Sequence, residues 1–307
     1  MFEQRIILFI VFNIVVFGML FIDLKVVHRK SHVVSMKEAA IWSVVWTAVA
    51  MVFNAYVWYD LGQQKGLDFF TSYFIERALS VDNLFVFVII FKYFSVPPLY
   101  HHKILYWGIL GAVIMRAIFI LSGIAMITKF YFVMYIFGAF LVITGIKMLF
   151  IGDKEIHPER NIVLKILRRF IPITNSYSSG KFFTKENGKM VATVLFVVLI
   201  VVETTDVVFA IDSIPAVFGI TTDVLIVYTS NIFAILGLRV LYFLLSNMMD
   251  RFCYLGIGVA LVLTIIGIKM LLIDFVHIST LTSLGLITLF IGGSIVISLI
   301  KTKKVES

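Results

Sequence analysis

The sequence predicts an all-α fold: a polytopic membrane helix bundle of about nine transmembrane helices, with an inverted three-helix repeat inside it. Three observations predict it. Of 307 residues, 61% are apolar or aromatic and only 14% are charged, against about 45–50% and about 25% in a soluble domain; the mean hydropathy is +1.05. Nine apolar runs match the roughly 20 residues that cross a bilayer. One half of the chain also echoes the other at a shift of 122–130 residues. This composition excludes a soluble globular enzyme and a disordered chain. Cys253 is the single cysteine, which excludes an intramolecular disulfide, a CxxC motif and a Cys-rich metal site.

Read in order, the runs are 5–24, 38–59, 70–94, 103–126, 131–151, 191–219, 224–246, 252–273 and 280–300. The first, with its apolar stretch from Ile6 to Ile22, is longer than a signal-peptide core and is followed by no small-residue cleavage site, so it reads as a retained helix. Nine spans leave no room for a separate soluble domain, and residues 1–307 are expected to form a single transmembrane domain. The one long connection is 152–190. Within it, Asn161–Ile173 gathers Val163, Leu164, Leu167 and Phe170 on one helical face beside Lys165, Arg168 and Arg169. That pattern suits either a helix lying on anionic headgroups or a solvated linker helix. Lys181–Met190 reads as a small hairpin turning at Asn187-Gly188.

Orientation follows from the basic residues. With the N-terminus outside, 18 Lys and Arg fall on one side, three on the other and five within spans. Short cytoplasmic loops carry such an excess, so the long loop and the C-terminus are expected to be cytoplasmic. Topology then accounts for the net charge of +8, and no nucleic-acid partner is needed to explain it. The expected partners are the lipid bilayer and a divalent metal ion, and the sequence leaves a homo-oligomer open.

The repeat is ordered. Gly145-Ile146-Lys147-Met148-Leu149 returns as Gly267-Ile268-Lys269-Met270-Leu271, Arg116 has its counterpart in Arg239, and Glu76 and Asp82 match Asp206 and Asp212, six apart in each case. Repeat one covers about 70–151 and repeat two about 191–273, each with three spans. An odd number of spans forces the second copy to cross the membrane in the opposite sense, an arrangement common among secondary transporters.

Five acids fall well inside spans: Glu76, Asp82, Glu203, Asp206 and Asp212. On insertion scales each ionised group costs about 2.5–3.5 kcal/mol at a helix centre, or about 12–17 kcal/mol for five. They must be paired, protonated, hydrated or bound to cations. Arg77, Arg116 and Arg239 neutralise at most three, which leaves the charge of one divalent ion. Glu203 and Asp206 share a helical face, whereas Asp212 lies about 240° from Asp206 on a regular helix. A break at Pro215 would re-aim Asp212 and Ser213. Together with Asn83, these candidates offer only oxygen, which suits Mg²⁺, Ca²⁺ and Mn²⁺ alike. The structural readings stay open beside this one: Glu76-Arg77 as half of a helix–helix salt bridge, Asp82-Asn83 as an interhelical clasp. Arg116 and Arg239 are expected to act as charge partners. Lys147 and Lys269 are expected to snorkel to the interfaces, and the glycines of the repeated motif to permit close helix contact.

Phe74–Phe87 (FIERALSVDNLFVF), Val202–Val217 (VETTDVVFAIDSIPAV) and Thr229–Leu244 (TSNIFAILGLRVLYFL) resemble the signatures of the TerC family, closest to its Alx branch. The resemblance runs over nearly the whole chain, including Trp42–Asn54 and Asp274–Ile278. It implies a multi-pass inner-membrane protein associated with manganese export, tellurite resistance and alkaline pH response, with a metal site at Glu76, Asp82, Glu203, Asp206 and Asp212. An anion such as tellurite fits five carboxylates poorly. The expectation is therefore a non-enzymatic exporter with no resident cofactor and Mn²⁺ as its cargo. Asp82 and Asp212 are placed at the centre of the site, Glu76, Glu203 and Asp206 complete the shell or carry protons, and Asn83 and Ser213 give neutral oxygen. The chain contains no GxxxxGK[ST] motif. The alternatives are a membrane-assembly scaffold working through the basic loop, with structural carboxylates, and, last, an intramembrane metalloenzyme, for which no HExxH spacing is present.

Overall fold

A computed structural model describes residues 2–22, 36–151, 171–174, 180–186, 188–246, 254–276 and 278–306. The described helices are α1 (Phe2–Ile22), α2 (Met36–Leu61), α3 (Gln63–Tyr93), α4 (Pro98–Lys129), α5 (Val133–Ile151), α6 (Val194–Phe218), α7 (Val224–Leu236), α8 (Leu238–Leu245), α9 (Leu255–Leu271) and α10 (Thr280–Glu306). Each apolar run of the sequence becomes one of these, except that 224–246 is a rod interrupted at Gly237 into α7 and α8. Most of the 152–190 connection, including most of Asn161–Ile173, lies outside the described residues. At its end β1 (Phe183–Glu186) and β2 (Lys189–Ala192) pair antiparallel, Glu186 opposite Lys189. This is the expected hairpin, with Gly188 at φ +77°, a left-handed value that glycine adopts without steric cost.

Among the described residues, six helical stretches combine the length and apolar composition of a membrane span: Met36–Leu61, Pro98–Lys129, Val133–Phe150, Val194–Phe218, Val224–Leu244 and Thr280–Lys301. Their outward side chains, among them Ile41, Val44 and Val52 of α2, Ile114, Ile118 and Leu121 of α4, and Leu289 and Val296 of α10, are exposed apolar groups, the surface that lipid tails require. Helix α3 is different. It carries Lys65, Asp68, Glu76, Arg77, Asp82 and Lys92, and it is packed by α2, α6, α7, α8, α9 and α10. A polar helix is tolerated at membrane depth when protein, not lipid, surrounds it.

Helix α3 also starts earlier than its apolar run at 70. Gln64 Nε2 donates to Asp68 Oδ1 at 2.9 Å, and Thr280 Oγ1 of α10 donates to the same oxygen at 2.9 Å. With these partners Asp68 and Thr280 are buried, while Gln64 stays exposed at the rim. The many phenylalanines find a role nearby. Phe12, Phe53, Phe69 and Phe233 join α1, α2, α3 and α7, with ring centroids 5.2–5.4 Å apart in four of the pairs. Such pairs contribute about 0.5–1.5 kcal/mol each beyond the area they bury.

The packing has a reciprocal pattern. Helix α3 packs on α7 and α4 on α6; α3 packs on α9 and α5 on α6; α3 meets α6, α4 meets α7 and α5 meets α9. At the α5–α9 contact, a Cβ on Gly145 would lie 2.6 Å from the Ala260 carbonyl oxygen and 2.9 Å from the Thr264 nitrogen. One on Gly267 would lie 2.6 Å from the Gly138 oxygen and 2.8 Å from the Val142 nitrogen. Positions 138, 142 and 145 advance as their partners at 260–267 recede, so the two helices run antiparallel. The repeated glycines permit close approach, as expected. The lysines of the motif diverge. Lys147 is exposed, whereas half-buried Lys269 donates to Ser283 Oγ of α10 at 3.0 Å instead of snorkelling.

Helix α7 begins at Asp223, whose carboxylate accepts from Leu225 N at 3.1 Å and pairs with Lys65 Nζ at 2.9 Å. Asp223→Ala is expected to lower stability by about 0.5–2 kcal/mol, the usual cost of a lost N-cap, read as a lower melting temperature of the purified protein.

Candidate functional site

The geometry converges on Arg116. Its side chain is fully buried on α4 and reaches three other helices. Nε and Nη2 donate to the two carboxylate oxygens of Asp206 on α6, each at 3.3 Å, a bidentate fork. Nη1 pairs with Glu76 Oε1 of α3 and lies 3.3 Å from Asn231 Oδ1 of α7 and 3.4 Å from Ser213 Oγ of α6. Ser213 Oγ in turn donates to Glu76 Oε1 at 3.3 Å. Glu76 Oε2 and Asn231 Nδ2 are buried and have no hydrogen-bond partner among the described residues. Two carboxylates thus face one guanidinium in a buried interior, with an unused acceptor on Glu76 and an unused donor on Asn231 among the described residues.

Helical geometry explains which acids meet. Asp206 and Ser213 are seven residues apart, within about 20° of one face. Asp212 is about 240° round, and α6 stays helical through Pro215 to Phe218. The expected break does not occur, so Ser213 joins the cluster while half-buried Asp212 stays on a different face, next to exposed Ile211 and one turn from exposed Val208. Glu203 is three residues before Asp206 and faces α4, where Gly111 leaves room: a Cβ there would strike its carboxylate. Asn83 is buried, with Nδ2 unpartnered among the described residues. Asp82 belongs to α3, and its side chain lies outside the described ones.

The centre therefore differs from the expectation. Glu76 and Asp206 occupy it, and Asp212 is not in it. Among the described residues, no three His, Cys, Asp or Glu side chains lie close enough to form a metal cage; the cluster is two acids, a hydroxyl and an amide around an arginine. Sequence reasoning missed Asn231, for which the available signal was the polar triplet Thr229-Ser230-Asn231 inside an apolar run. It also missed Asp68, which sits two positions before the apolar run that begins at 70 and, by sequence, reads as loop.

A second feature adjoins the cluster. A cavity of about 10 Å³ is lined by Asp206 itself, by Gly108, Ala112 and Arg239, and by apolar side chains of α3, α4, α6, α7 and α8. That is room for about one water-sized particle.

Comparison with known proteins agrees with this architecture. The model of the integral membrane protein TerC family matches residues 61–306. An uncharacterised membrane protein of Myxococcus xanthus, STKORF319, is 49% identical over 288 residues, covering 94% of this chain and 90% of that protein. Proteins provisionally named membrane-bound redox modulator Alx are 46% identical in Salmonella typhi and 45% in Escherichia coli K12, covering 90% of this chain and 88% and 89% of theirs. No solved structure matches the chain. A family match over most of the length, and relatives this similar, establish that the chain belongs to the integral membrane protein TerC family.

Proposed function

We propose that this membrane protein exports divalent cations, Mn²⁺ foremost, from the cytoplasm across the inner membrane, with the N-terminus outside and the long loop and C-terminus inside. One observation carries the reading: Glu76 and Asp206, counterpart positions of the two halves, meet inside the bundle around one guanidinium. Two carboxylates balance one dipositive ion, and the hydroxyl of Ser213 and the amide of Asn231 stand beside them as hard, neutral oxygen donors. The preference for Mn²⁺ within that class rests on the family resemblance.

The other acids mark a route. Along α6, Glu203, Asp206 and Asp212 span roughly 13 Å at 1.5 Å per residue. Asp82 lies six residues beyond Glu76 on α3. In the inverted arrangement supported by the reciprocal packing, Asp82 and Asp212 sit on opposite sides of the central pair. Ions pass from one to the other through it, and protons return on the same carboxylates. Lone Cys253 offers no intramolecular thiol couple for the redox role in the relatives' name.

The three-helix ion pair also suits a scaffold whose acids only tie helices together. Mn²⁺ uptake into everted membrane vesicles separates the two readings. An exporter gives saturable uptake that other hard divalent ions compete with to different degrees; a scaffold gives no uptake above vesicles lacking the protein.

A further inference from the structure

The two arginines of the repeat have related neighbours in the sequence. Arg116 is bracketed by Ser213 and Asn231, both from the second half. Ser213 is seven residues after Asp206, and seven residues after Glu76 stands Asn83. Asn231 is eight residues before Arg239, and eight residues before Arg116 stands Gly108. Exchanging the halves therefore predicts a second seat, at Arg239, made of the same two acids with Asn83 in place of Ser213 and no side chain in place of Asn231. The cavity is where that seat belongs: Gly108, Asp206 and Arg239 all line it. Asn83, buried with its Nδ2 unpartnered among the described residues, stands one helical turn before Phe87 of the cavity wall. Gly108 supplies the space that Asn231 fills on the other side.

Resting on the transport reading above, we propose that Arg116 and Arg239 are alternating tethered counter-cations. The Glu76–Asp206 pair sits on Arg116 in the conformation seen here and on Arg239 in the opposite one, and it takes the dipositive ion in passing between them. The guanidinium stands in for the ion when none is bound, so the acids are never left unbalanced in the interior, where an unpaired charge is costly. The ion must displace a competing cation to bind, and its release is driven by the other arginine.

The competition has a signature that a merely structural arginine lacks. In full-length protein purified into lipid nanodiscs, Mn²⁺ binding is followed by the paramagnetic resonance of the free ion. Arg116→Gln removes the competitor and is expected to bind Mn²⁺ about ten- to a hundredfold more tightly than wild type, the worth of a charged hydrogen bond. Its melting temperature should be lower without Mn²⁺ and restored by it. Arg239→Gln keeps the seat seen here and is expected to bind Mn²⁺ much as wild type does while exporting none. If Arg116→Gln does not fold, Arg116→Lys keeps the charge without the fork and is expected to tighten binding by a smaller factor. A folded Arg116 variant that binds no more tightly than wild type, or an Arg239→Gln protein that exports at the wild-type rate, overturns the proposal. If no protein binds Mn²⁺, wild type included, the transport reading itself falls.

Discussion

Asp206→Asn and Glu76→Gln are each expected to stop Mn²⁺ export almost completely while leaving the protein folded. The site balances a dipositive ion with two carboxylates. Removing one raises the net positive charge of the ion-loaded site by one unit, at a cost of about 2.5–3.5 kcal/mol on insertion scales, or about two orders of magnitude in rate. Folding responds differently. Arg116 retains one carboxylate in either variant, so the buried cluster goes from two acids and one base to one of each, and no charge is stranded. Cells loaded with Mn²⁺ should retain it as if the gene were absent, with normal amounts of protein in the membrane. Normal efflux by Asp206→Asn would mean that the cluster only holds helices together.

The largest effect on stability is expected at the helix crossing. Gly145→Val or Gly267→Val places a branched side chain where backbone atoms of the facing helix stand, as near as 2.6 Å to the first added carbon. Backbone does not yield as a flexible side chain does, so α5 and α9 must separate. Overpacking costs about 1–3 kcal/mol in ordinary cores, and a collision with backbone belongs at or above the top of that range. Gly285→Ala in α10 is the control: nothing lies within 4 Å of its added carbon, and alanine is the better helix former by about 1 kcal/mol. Melting of the purified proteins and the yield of monodisperse material check the contrast. Equal melting temperatures for Gly267→Val and wild type would contradict the crossing described here.

Much of this architecture was legible because lipid simplifies the pattern. A run of apolar residues between charged ones is nearly a complete description of a helix such as α2 or α6, and the hairpin at 183–192 announced itself through Asn187-Gly188. The beginning of α3 was hidden for the opposite reason. Gln64, Lys65 and Asp68 look like loop until Thr280 of α10 and Asp223 supply their partners, some 160–220 positions away in the chain. The candidate site was half legible. Helical periodicity alone placed Asp212 off the face of Asp206, and the break invoked at Pro215 to bring it back does not occur. The central role of Arg116 follows from the meeting of α3, α4, α6 and α7, a tertiary fact that no local spacing encodes. Asn231 stands within a family signature, and its amide acquires chemical meaning only beside that guanidinium.

The most direct measurement is ion flux through the purified full chain in liposomes. Wild type is expected to carry Mn²⁺ saturably into vesicles that enclose a Mn²⁺-sensitive dye, and Glu76→Gln in matched amount and orientation to carry none. Flux that is absent from wild type, or equal in the two, would show that paired acids in this interior serve cohesion and not passage.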